Sequence, residues 1–266
     1  MSETALDRIV ADVRLRLETY SQEPGLEEAA HEAVEARRSD GLRSLASALS
    51  SPGAALIAEC KKASPSAGLI REDFDAAALA GAYSAGGAAA ISVVTEPDSF
   101  LVDTRWLIDV RRTVDLPVLR KDFIVSRRQL FETAVLGVDA VLLIVRILDQ
   151  ETLGSLLQTA AELELEVLLE IFADEDPAAV VASEAPIVGV NARDLATFEV
   201  RLDRVESIAA KLPADRVRVA ESGIRGPGDL DRLRAAGYDG FLVGEHLVRS
   251  DDPESAVRTL LGRTSP

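Results

Sequence analysis

Ala55-Leu56-Ile57-Ala58-Glu59-Cys60-Lys61-Lys62 runs apolar for four residues and then turns charged. A run this short, with no polar alternation, suits a strand covered on both faces, as strands of parallel sheets are. Seven further runs of the same character follow: Ala89–Val94, Pro117–Lys121, Ala140–Val145, Glu166–Ile171, Pro186–Asn191, Arg216–Glu221 and Gly240–Gly244. A longer stretch of helical character follows each run. Eight strand–helix units in a chain of 266 residues predict an α/β fold, a (β/α)8 TIM barrel. An open doubly wound sheet is the competing reading. It ordinarily uses fewer strands and opens on a Gly-rich first turn, which is missing here. An internal echo favours the barrel: Leu136-Gly137-Val138-Asp139-Ala140-Val141-Leu142-Leu143 resembles Ala236-Gly237-Tyr238-Asp239-Gly240-Phe241-Leu242-Val243. Shared helix-to-strand turn chemistry would produce the same echo.

Upstream of the first run, the chain from about Leu6 to Leu49 reads as helical, with Leu6, Ile9, Val10, Val13 and Leu17 on one face. A break follows at Ser50-Ser51-Pro52-Gly53. No linker or low-complexity segment comes after Gly53. The expectation is one barrel domain over residues 1–266, of which 1–50 is an N-terminal helical extension.

Composition narrows the function. With 47% apolar and 28% charged residues, the chain can bury a large core. No stretch approaches the ~20 consecutive apolar residues that span a bilayer. Met1-Ser2-Glu3-Thr4-Ala5-Leu6-Asp7 is acidic and lacks the apolar centre of a signal peptide. Cys60 is the single cysteine, which excludes an internal disulfide and suits a reducing cytoplasm. A formal charge of −16 argues against nucleic acid or an anionic membrane as partner. A small anionic substrate stays open, because local basic groups and backbone amides override the global sign. These observations point to a cytoplasmic enzyme or small-ligand binder.

The basic residues are unevenly divided. Only four of 29 are lysine: Lys61, Lys62, Lys121 and Lys211. Arginine stays charged, whereas a lysine can be tuned to give and take a proton. Compositional bias explains the scarcity, but Lys61 and Lys121 survive at strand ends. In a barrel, the C-terminal strand ends and the loops after them carry the chemistry. Read in order, those ends offer Glu59 and Lys61, then Lys121, Glu170, Asn191 and Glu221-Ser222. Strand ends are also simply where polarity resumes, a reading that covers Glu170 alone but weakens for five strands at one rim. Two residues apart on a strand, Glu59 and Lys61 project to the same face, and Cys60 and Lys62 to the other. Cys60 is then a small core residue and Lys62 is solvated. Glycine follows the last two strands at Gly223 and Gly244, where barrel loops often bind phosphate; an ordinary tight turn would also use it. Ser64 and Ser66 are either hydroxyl donors or turn formers. His31 and His246 are the only histidines and lie far apart in sequence, so no metal cluster is visible; Trp106 is expected to pack a helix, and Glu162–Glu166 reads as a solvated helix end. No cofactor motif is visible.

Several segments together resemble one family. Ile57-Ala58-Glu59-Cys60-Lys61-Lys62-Ala63-Ser64-Pro65-Ser66 is similar to the signature segment of the indole-3-glycerol phosphate synthases. So are Ala90–Glu96, Leu119-Arg120-Lys121-Asp122-Phe123-Ile124-Val125, Gly189-Val190-Asn191-Ala192-Arg193-Asp194-Leu195, Val219–Ile224 and Gly240–Leu247, in the family's order. The resemblance implies closure of 1-(2-carboxyphenylamino)-1-deoxyribulose 5-phosphate to an indole, with decarboxylation and dehydration, in tryptophan biosynthesis. It implies no metal and no organic cofactor. Lys121 would be the general acid of ring closure, Lys61 would bind the substrate carboxylate with Glu59 orienting it, and Glu170 would serve the dehydration. Asn191 and Glu221 would hold hydroxyls or the anilino group. Ser64, Arg193 and the segments Ser222-Gly223 and Gly244-Glu245 would bind substrate, chiefly its phosphate. The expected assembly is a monomer or a weak homo-oligomer. Three positions depart from the family pattern: the loop Phe100–Thr104, Phe172 and Ala192. The departures are compatible with a paralogue serving specialised metabolism, and the altered loop keeps an inactive phosphosugar-binding barrel in view; a third alternative is a phosphoribosylanthranilate isomerase, which would want a cysteine–aspartate pair.

Overall fold

The computed structural model describes residues 4–19, 24–51, 55–194 and 197–263. Met1–Glu3, Pro52 and Gly53 of the expected break, and Leu195 of the fourth family segment lie outside the described residues. Among the described residues, eight parallel strands close into a barrel in sequence order. They are β1 (Ala55–Cys60), β2 (Ala90–Val94), β3 (Val118–Lys121), β4 (Ala140–Ile144), β5 (Glu166–Phe172), β6 (Ile187–Asn191), β7 (Val217–Glu221) and β8 (Gly240–Val243). The expected runs match these strands to within one residue at either end. The differences have local causes. Pro117 has no N–H to give to a ladder, and Phe172 extends β5 because it still pairs with Asn191.

The alternation of side chains along each strand builds two cores. Inward residues such as Ile57, Leu119, Leu142, Leu168, Ile187, Val219 and Leu242 fill the barrel, while outward ones such as Leu56, Val93, Val141 and Leu169 pack the helices. This double burial is why the strands read as unbroken apolar runs.

The predicted helical stretch before the barrel is divided into α1 (Ala5–Thr19), α2 (Leu26–Asp40) and α3 (Leu45–Leu49). Gly41, at φ 91°, ends α2 and lets the chain turn under the barrel. Leu6 and Val10 of α1 join the interior core from the C-terminal mouth, and Leu45 and Leu49 of α3 join it from the opposite end. Helix α2 lies outside, against the helix Arg127–Val135. Arginines on α1, on α2 and in the turn before α3 fasten the extension to backbone carbonyls. Arg14 reaches Ile147 O at 3.3 Å. Arg37 reaches Val138 O at 2.9 Å, and Arg43 reaches Leu116 O at 3.2 Å.

The glutamates from Glu162 to Glu166, expected to be a solvated helix end, are in part anchors for this extension. Glu164 binds Arg38 at 3.0 Å. Glu166 accepts from Ser44 Oγ at 2.7 Å and from the Ala46 amide at 2.9 Å, which fixes the start of α3 under β5. Trp106 packs as expected, its ring 4.7 Å from that of Phe74.

Candidate active site

Barrel strands contribute interior side chains in layers, alternate strands supplying one layer. At the mouth the odd strands supply the charged layer. Glu59 comes from β1, Lys121 from β3, Glu170 from β5 and Glu221 from β7. The Lys121 ammonium sits 3.0 Å from Glu170 Oε2 and 3.1 Å from Glu221 Oε2. Both carboxylates are almost fully buried, at 2% and 1% side-chain exposure, so these contacts are poorly screened. The Asn191 amide donates to Glu170 Oε2 at 3.4 Å. Lys61, just past β1, pairs with Glu59 at 2.5 Å.

Burial and charge compete at each group. Burial draws the Lys121 ammonium down, but Glu170, Glu221 and Glu59 outweigh it and hold the group above the ordinary lysine value. Burial raises the Glu59 carboxyl, and Lys61, Lys121 and Arg193 overturn that and keep it below the usual carboxylate range. At Glu221 burial wins. It pushes the carboxyl up to about 8, with Lys121 opposing and Glu170 reinforcing the shift. The mouth therefore holds acids that differ in proton affinity around one ammonium, an arrangement suited to acid–base chemistry near neutral pH.

The opposite faces are inert. Cys60 is buried against Ala76 O, with Sγ 3.7 Å away, and burial pushes its thiol up. Arg120, the chain neighbour of Lys121, points outward into a buried network. It donates to Asp122 Oδ2 at 2.8 Å, Gln129 O at 3.0 Å and Thr133 Oγ1 at 2.9 Å.

Loops close the mouth on one side. Ser64 and Ser66 do both of the things considered for them. Both line the cavity, and Ser64 Oγ accepts from the Ala67 amide at 3.2 Å, shaping a hairpin of residues 63–64 and 68–69. After β7, Ser222 and Gly223 both take left-handed backbone, at φ 70° and 79°. A side chain at Gly223 would fall on Val200 of the neighbouring loop. Glycine adopts that backbone freely, but Ser222 is strained in it, and a strained residue facing a cavity is the kind of outlier that accompanies ligand binding. After β8, Gly244 precedes the helix Glu245–Val248.

All twelve residues named from the sequence line one cavity of about 860 Å³. Glu245 turns its carboxylate aside to Arg249 at 3.0 Å, so what it offers the cavity is backbone. Several lining residues escaped the sequence reading. Phe100 and Phe123 stand with ring centroids 6.2 Å apart, and Phe198, Arg225, His246 and Arg249 complete much of the rest. Phe123 lies two residues after Lys121, so the loop after β3 carried the signal. Ala5, Leu6 and Ile9 of α1 also reach the cavity. Nothing local to the sequence of α1 announces that. Two of the three departures lie off the wall. Ala192 is buried in the outer core, and Phe172 packs beneath Arg146, whose guanidinium is 4.4 Å from its ring centroid. Among the described residues no three His, Cys, Asp or Glu side chains form a metal-holding group.

Residues 6–260 match the family model described as indole-3-glycerol phosphate synthase. The chain belongs to that family. It is 48% identical over 206 residues to the indole-3-glycerol phosphate synthase of Rhodopirellula baltica, covering 77% of this chain and 80% of that protein. It is 43% identical over 258 residues to the enzyme of the same name from Rhodococcus opacus, covering 97% and 95%. Among solved structures, a tryptophan synthase α-subunit mutant from Pyrococcus furiosus superposes with a TM-score of 0.59 at 14% identity, covering 79% of this chain and 98% of that one. Thiamine phosphate pyrophosphorylase from Pyrococcus furiosus gives 0.57 at 17% identity, covering 82% and 96%. At such identities these two speak for the barrel alone. Family membership extends from α1 to the last helix, so the extension that walls the cavity falls within the matched region.

Proposed function

We propose that this chain is an indole-3-glycerol phosphate synthase, a carboxy-lyase acting on 1-(2-carboxyphenylamino)-1-deoxyribulose 5-phosphate. The observation that carries the residue roles is the Lys121 ammonium held between Glu170 and Glu221 in a cavity that ends in glycine turns. Ring closure joins the aryl carbon bearing the carboxylate to the ketone carbon. The proton for the ketone oxygen comes from Lys121 Nζ, whose charge the surrounding acids maintain until the oxyanion develops. The anilino nitrogen then carries the positive charge as an iminium. The bond to the carboxylate breaks, its electrons return to the ring and carbon dioxide leaves. Water departs last. The former ketone oxygen takes a proton and the adjacent carbon loses one, which completes the indole. Glu170 exchanges the proton at this step and lies where it can also restore Lys121.

Lys61, oriented by Glu59, binds the substrate carboxylate. Asn191 and Glu221 hold the hydroxyls or the anilino nitrogen. Ser64, Arg193 and the amides of Ser222-Gly223 and Gly244-Glu245 hold the rest, the phosphate above all. Phe100 and Phe123 give the aromatic ring an apolar wall. The isomerase alternative lacks its cysteine, since Cys60 faces away from the mouth. A single domain over 1–266, a monomeric or weakly homo-oligomeric state, a cytoplasmic location and no nucleic-acid partner belong to the same proposal. The charge of −16 supports the last of these. Among the described residues no helix is long and apolar enough to cross a membrane.

Purified protein incubated with the carboxyphenylamino-deoxyribulose phosphate should generate indole fluorescence. Folded protein that yields no product overturns the proposal.

A further inference from the structure

Gly189 stands within β6, in the run Ile187-Val188-Gly189-Val190, where every neighbour is β-branched. A glycine there weakens a strand, and it marks a place where something approaches the backbone closely. Its φ is not left-handed, so no turn demands it. The demand comes from β7. Gly189 is paired with Glu170 on one side and Val219 on the other, and Glu221 lies two residues beyond Val219 on the same face. From there the Glu221 side chain folds back across β6. A Cβ on Gly189 would fall on Glu221 Oε1, with Glu221 Cδ and Leu168 Cδ1 each 3.3 Å away. The other oxygen, Oε2, is the one that meets Lys121. Oε1 is buried and has no hydrogen-bond partner among the described residues, so Lys121 holds the carboxyl by one oxygen and no donor fixes the other. Shape must hold it.

We propose that Gly189 is a positioning residue for the lyase reaction: its bare Cα is the slot that seats the Glu221 carboxyl against Lys121. The proposal rests on the function assigned above. It differs from an ordinary packing role in what an added methyl would displace. The obstructing atom is the far end of a flexible side chain, not backbone. A methyl at 189 therefore evicts the carboxyl and leaves the barrel standing. Gly240 on β8 makes the contrast. There a methyl would meet Val219 Cγ2 at 3.2 Å and Leu49 Cδ2 at 3.3 Å, which are core atoms unconnected with the charged layer.

The test is a double-mutant cycle of Gly189→Ala, Glu221→Ala and the pair, read by turnover of the carboxyphenylamino-deoxyribulose phosphate across pH and by thermal melting. Gly189→Ala should melt close to wild type and lose about 100-fold in kcat, the scale of a displacement near 1 Å, with KM moving less. Its pH profile should match that of Glu221→Ala, and the double variant should be no slower than Glu221→Ala alone. Losses that multiply in the double variant overturn the slot. If Gly189→Ala does not fold, recovery of folding in the double variant upholds the same clash, and its failure there overturns it. A folded wild type without activity sinks the lyase reading instead. The melting cycle then still judges the slot: whatever small loss of stability Gly189→Ala brings should vanish in the Glu221→Ala background, and a loss that persists there overturns it.

Discussion

Arg120 and Lys121 are adjacent on β3 and cannot exchange places. The arginine fork is matched to Asp122, Gln129 and Thr133 outside the barrel, while the single ammonium of Lys121 fits between two carboxylates inside it. Lys121→Arg keeps a charge at the mouth but makes proton donation very difficult. Its kcat should fall by about 10²–10⁴-fold, the ordinary contribution of a positioned acid, with KM less affected. A variant that turns over near the wild-type rate would remove Lys121 from the acid role. Glu221 supports a second prediction, about stability. Its carboxyl is raised from 4.5 to about 8, so between those values the folded protein holds a proton that the unfolded chain releases. Stability attributable to this group is present at low pH and is lost as pH rises towards about 8. Glu221→Gln, neutral throughout, should melt progressively higher relative to wild type from pH 5 to pH 8, and a difference that does not vary with pH contradicts the shift. Much of this layer was legible in the chain. The two-residue period assigned Glu59 and Lys61 to one face and Cys60 to the other. The folding-back of Glu221 over Gly189 was not legible, because it depends on a side chain crossing from β7 to β6.

At the scale of elements, the sequence signalled strands more sharply than the extension. Continuous apolar runs bounded by polar ends have one good reading in a barrel. The apolar face of residues 6–49 has many, since helical periodicity says that a face is buried but not against what. That partner is set by single residues far apart in sequence. Glu166, at the start of β5, holds α3, and Arg16 ties α1 to Asp98 at 2.6 Å in the short helix after β2. The two ends of the extension should therefore fail differently. Leu49 is fully buried beneath Gly240, at the end of the barrel away from the charged layer. Leu49→Ala should cost about 2–5 kcal/mol of stability through the cavity it leaves. Its kcat at a temperature where it remains folded should stay within a few-fold of wild type. A large loss of kcat in a folded Leu49→Ala protein would mean that the plug shapes the mouth as well.

Across the whole molecule, interior packing joins segments that the chain order separates. Leu6, Val10, Leu45 and Leu49 belong to the same buried cluster as the inward residues of the strands, so the barrel has no complete interior without its first fifty residues. The expectation of a single domain over 1–266 turns into a statement about cooperativity. A barrel that could stand alone would make 1–50 an appendage, with its own weaker transition. An interior shared between extension and barrel makes them unfold together. At 266 residues such behaviour is not automatic, since chains of this size often populate intermediates. The arginine contacts from α2 and from the turn before α3 add to the coupling, because removing those side chains also uncovers the carbonyls they satisfy before β3, β4 and β5. The full chain should show one calorimetric transition whose van't Hoff and calorimetric enthalpies agree. Residues 51–266 alone should lose that transition, retaining helical far-ultraviolet signal while binding a hydrophobic dye at the opened ends. Two separated transitions in the full chain, or a sharp melt in the shortened one, would make the extension a separate unit laid over a self-sufficient barrel.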